Sequence, residues 1–113
     1  MTEIDYELEA LLDLDGHKYE FGSGHYVKLE AQRVAGSIGR PAGIKYSLTL
    51  HAPDGQRIYG LDNAHGIRKH DVYDHRHVYG ARKIVAYEYR GPAKLLENFY
   101  HEVERILKER GVR

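Results

Sequence analysis

Between Asp62 and His77 the sequence DNAHGIRKHDVYDHRH gathers four of the chain's eight histidines and four aspartates or asparagines into sixteen residues. Imidazole is the side chain whose ordinary pKa lies nearest neutrality. With carboxylates, Arg and Lys beside it, such a cluster can move protons, ligate a metal or hold a phosphate. If the segment around His75 is extended, His75 and His77 point to one side and Arg76 to the other, because strand side chains alternate. Two imidazoles at one site suit acid/base cleavage of a phosphodiester: one takes a proton from a ribose 2'-hydroxyl and the other protonates the leaving oxygen. Arg68, Lys69, Arg76, Arg82 and Lys83 supply cations for the phosphate, and Tyr73 and Tyr79 are candidates to stack on bases.

The same residue types also fit a metal. His65, His70, His75, His77, Asp71 and Asp74 are competent ligands, and HxH on a strand is a common ligand spacing. No complete signature accompanies them, since HExxH, the EF-hand loop and the C2H2 spacing are all missing. A purely structural reading stands beside both, with Asp62 and Asn63 capping a turn and His65 and His77 satisfying backbone groups. On the residues alone the three stay open.

Composition narrows the frame in which this cluster must sit. A chain of 113 residues is the usual size of one domain with one core, so residues 1–113 read as a single domain. It has no cysteine, which excludes disulfides, thiolate zinc sites and a Cys nucleophile and makes a cytoplasmic location the expectation. The N-terminal MTEIDYELEALLDLD is acidic and amphipathic, unlike a secretory signal, and no apolar run is long enough to span a membrane. Formal net charge is zero, yet Glu3, Asp5, Glu7, Glu9, Asp13 and Asp15 face no Lys or Arg within residues 1–16. The rest of the chain is therefore basic, as a phosphate-bearing partner requires, and the acidic segment could imitate RNA against the basic site. On that reading, deleting residues 1–16 raises nucleic-acid affinity.

The positioning elements follow from periodicity and turn chemistry. Leu8, Leu11 and Leu12 predict a short helix over Tyr6 to Leu14. Asp15-Gly16 and Gly22-Ser23-Gly24 are turns bracketing HKYEF. After them Val27, Leu29 and Ala31 alternate with Lys28, Glu30 and Gln32 as a half-buried strand. GSIGRPAG is a loop. Ile44, Tyr46, Leu48 and Leu50 then share a strand face, and Pro53-Asp54-Gly55 turns the chain into an antiparallel partner, RIYGLD. RKIVAYEYR predicts a further strand, stopped by Gly91-Pro92. Leu95, Leu96, Phe99, Val103, Ile106 and Leu107 recur with helical period between Pro92 and Gly111, and Glu104 to Lys108 is a favourable i, i+4 pair. Strands followed by a helix argue for an α+β fold: an antiparallel sheet against a long C-terminal helix, with a short N-terminal helix. Tyr46, Tyr59, Tyr87 and Tyr89 read as sheet-packing residues, and His51 and His101 as incidental.

Three blocks in this frame, PAGIKYSL at Pro41 to Leu48, DNAH at Asp62 to His65 and DHRH at Asp74 to His77, together with IVAYEYRGPAKLLENFYHEVERIL, resemble the TumE family over about Tyr26 to Leu107. The resemblance implies a single-domain toxin, neutralised by a helix-turn-helix antitoxin encoded beside it. It carries over no catalytic residues, and marks Asp62, Asn63, His65, His75 and His77 as candidates. The expectation is a toxin acting on RNA with no cofactor. His65, His75 and His77 are its acid/base candidates, Asp62 orients an imidazole, and Arg76, Arg82, Lys83 and Tyr73 bind phosphate or RNA. The alternatives are a metal-dependent hydrolase using His65, His75, His77 and Asp74, and a non-enzymatic binding or regulatory module. A homodimer stays open.

Overall fold

The computed structural model describes residues 5–36, 43–63, 74–78 and 83–112, in the order α1 (Tyr6–Asp13), β1 (His17–Glu20), β2 (Tyr26–Arg33), β3 (Ile44–His51), β4 (Arg57–Asp62), β5 (His75–Val78), β6 (Lys83–Ala86) and α2 (Pro92–Glu109). Each strand pairs antiparallel with the next, giving a six-stranded sheet in sequence order. The fold is α+β, as the strand and helix patterns require.

Alternation decides which face is covered. Val27, Leu29 and Ala31 of β2 lie opposite Leu50, Leu48 and Tyr46 of β3, and Leu48 and Leu50 lie opposite Leu61 and Tyr59 of β4. All eight are buried in one cluster with Leu11 of α1 and Leu95, Phe99, Val103 and Leu107 of α2. The helical stripe thus seals one face of the sheet, and burial of such side chains outweighs any surface ion pair on the helix. The expected Glu104–Lys108 pair is not among the ion pairs of the described residues. Arg105 instead reaches Glu102 at 2.8 Å and Glu109 at 2.6 Å.

Local chemistry sets the ends of these elements. Asp5 caps α1 by accepting from the Leu8 amide at 3.0 Å. In the β3–β4 turn, Gly55 takes φ 92°, and the Asp54 carboxylate accepts from the Gln56 amide at 2.9 Å. After α2, Gly111 adopts φ 74° and the Val112 amide reaches back to the Leu107 carbonyl at 2.8 Å, a Schellman closure.

HKYE, between the two turns, forms the exposed edge strand β1, which carries no apolar alternation to announce it. One expectation needed adjustment. The strand expected over RKIVAYEYR is shorter, with β6 ending at Ala86. Its partner begins at His75, and the next amide, that of Tyr87, is bonded to the Asp74 carbonyl at 3.0 Å. Beyond it the Tyr87 hydroxyl accepts from Asn98 of α2 at 2.9 Å, so the chain has already turned towards the helix.

Candidate functional site

Tyr59 and Leu61 point into the core, so Gly60 and Asp62 present the other face of β4. The antiparallel register sets Gly60 opposite His77 and Asp62 opposite His75, and His77 shares the face of Gly60 and Asp62. Asp62 Oδ2 lies 2.7 Å from His77 Nε2, with the two side chains 12% and 15% exposed. The contact has an ion-pair distance without meeting hydrogen-bond geometry. A carboxylate held there orients the imidazole, the arrangement needed by a group that first takes and then returns a proton.

The neighbouring row on this face comes from β3 and the start of β4. The register shifts between Leu50 and His51, so Leu50 faces Tyr59 and the next residue, His51, faces Arg57. The irregularity leaves one extra residue, Ile58, on β4 and turns Arg57 to the Gly60 side, the kind of re-aiming that a β-bulge produces. Arg57 Cδ lies 3.8 Å from the position that a Cβ on Gly60 would take. The His51 ring stacks on Tyr26 with centroids 4.8 Å apart and planes 4° from parallel. Its Nδ1 donates to the Gly55 carbonyl at 3.1 Å, so in the neutral ring Nε2 accepts from the Thr49 hydroxyl at 2.8 Å. His51 is thus a fixed part of this face. Its HxxxxxR spacing to Arg57 carries no motif, and only the bulge makes them neighbours.

The other candidates separate by face. Arg76 takes the opposite side from His77, under α2, where its Nε is enclosed. Hydrogen bonds from Arg105, and then the charges of Arg105 and Arg76, hold the Glu102 carboxyl below the usual carboxylate range against the opposing effect of burial. Asp74 is also on the helix side, where Oδ2 accepts from the buried Tyr46 hydroxyl at 2.6 Å. Burial first, and then the Asp74 hydrogen bond and charge, push the Tyr46 pKa well above its ordinary value, while burial followed by Asp74 pushes Tyr89 up to about 12. Asp74 and His77, joined in the expected metal set, are therefore parted by the sheet.

Asn63 turns out to be a structural residue. Its Oδ1 accepts from the Tyr46 amide at 2.9 Å and its Nδ2 donates to the Ile44 carbonyl at 2.8 Å, so the side chain extends the β3–β4 ladder past the end of β4. His75 and Lys83 have backbone places in β5 and β6, opposite Asp62 and Val78 respectively. His65, Tyr73 and Arg82 lie outside the described residues. Among the described residues no three His, Asp or Glu side chains converge as a metal-binding group, and no helix is long and apolar enough to cross a membrane.

With this geometry in place, a family model described as toxin TumE matches residues 15–107, most of the chain. Searches of the curated proteins and of the solved structures give no match.

Proposed function

From the premise that this chain belongs to the TumE toxin family, we propose that it is the toxin of a toxin-antitoxin pair and acts on RNA by histidine acid/base chemistry, centred on Asp62 and His77. The observation that carries this reading is the 2.7 Å contact of Asp62 with His77 on the sheet face opposite the helices. His77, oriented by Asp62, exchanges a proton with the ribose hydroxyl or the leaving oxygen. His75, across from Asp62 in the register, supplies the second imidazole, with His65 from the same histidine cluster as the other candidate. No metal is obligatory in this scheme. Its partner is an antitoxin of the helix-turn-helix class.

The test is growth arrest on induction, scored beside the circular dichroism of the purified protein. His75→Ala with His77→Ala abolishes arrest and keeps the fold. A folded double variant that still arrests growth refutes the site. Loss of activity on chelation, restored by zinc or manganese, transfers the chemistry to the metal-dependent reading.

A further inference from the structure

We propose that Arg57 is the phosphate-binding residue of this face, its side chain laid over Gly60, the residue paired with His77. The inference rests on the reading of Asp62 and His77 as the acid/base centre and adds the cation which that centre needs. Acid/base cleavage of a phosphodiester builds charge on the non-bridging oxygens, and an Arg fork meets those oxygens with two parallel hydrogen bonds. Arg76 is the cation nearest the histidines in sequence, but alternation sends it under α2 with Tyr59 and Glu102. The bulge gives Arg57 the opposite outcome by turning it to the face that holds Asp62 and His77.

Gly60 makes the approach possible. It pairs directly with His77 and leaves a gap in the row between Thr49 and His77, where Arg57 Cδ sits. A Cβ there would come within 3.2 Å of the Thr49 methyl and 3.3 Å of the Leu48 carbonyl oxygen, so even alanine crowds this floor. Thr49 yields little, because its hydroxyl is tied to His51 and His51 is tied in turn to Gly55 and stacked on Tyr26. The side chain thus passes over the residue that pairs with His77.

The experiment measures binding of a fluorescent single-stranded RNA whose riboses are 2'-O-methylated, so that it binds without being cleaved, to the full chain over a range of salt concentrations. Arg57→Gln weakens binding about tenfold and lowers the salt slope by about one, Arg57→Lys falls between it and the wild type, and Arg76→Gln stays within about twofold. His77→Ala retains binding and loses growth arrest. A folded Arg57→Gln protein that binds like the wild type, or an Arg76→Gln protein that loses as much, overturns the assignment of Arg57 alone. A wild-type protein that does not bind the oligonucleotide overturns both this assignment and the RNA reading of the site.

Discussion

Asp62 and Asn63 are adjacent members of one block, and the fold divides their work. Asp62 addresses His77, whereas Asn63 satisfies a buried amide and a buried carbonyl of β3. Asn63→Ala leaves both groups without that partner and is expected to cost roughly 2–6 kcal/mol in denaturant unfolding, at about 1–3 kcal/mol per unsatisfied group. Asp62→Asn keeps the fold and lowers growth arrest. The tyrosines set a pH limit. Tyr46, Tyr59 and Tyr89 are all held above the ordinary tyrosine value of 10.0, chiefly by burial, with Tyr89 at about 12. The unfolded chain therefore loses these protons first as pH rises. Their contribution to stability is full below about pH 10 and is lost as pH climbs through 12 and beyond, so alkaline unfolding monitored by tyrosinate absorbance should begin above pH 10. A flat stability profile from pH 9 to 12 would contradict this.

Elements owe their positions to buried stripes more than to charge. Phe99 is fully buried, packed on Tyr59 with ring centroids 6.1 Å apart, and Phe99→Ala is expected to cost about 3–5 kcal/mol in denaturant unfolding. Arg105→Ala breaks two exposed pairs and should shift the same curve far less. Strands β2 and β3 and both helices were legible because each holds its apolar residues at its own period, 2 or 3.6. The edge strand β1 was not, since none of its four residues is buried and its pairing alone makes it a strand. The bulge between β3 and β4 was equally silent, so His51 read as incidental although it anchors Thr49.

At the scale of the whole molecule, the acidic N-terminal segment is part of the fold. Leu11 is fully buried, α1 packs on α2 and β2, and Asp15 Oδ1 accepts from the Ala31 amide at 3.0 Å. Deleting residues 1–16 should therefore unfold the protein, seen as loss of a cooperative melt, where the sequence suggested a gain in nucleic-acid affinity. Because α1 is on the helix side of the sheet, Glu7→Gln with Asp13→Asn should change oligonucleotide binding less than Arg57→Gln does. By itself the sequence determined the α+β class, the helical stripe, the hairpin turn, the family resemblance and the histidine cluster, all of which rest on local periodicity or on contiguous blocks. Only the tertiary structure decided that Asp62 meets His77, that Arg76 and Asp74 turn to the helices, and that Arg57, twenty residues before His77, shares its face. The reason is register: a strand side chain changes face with every residue, and one extra residue at a bulge reverses the assignment for everything before it.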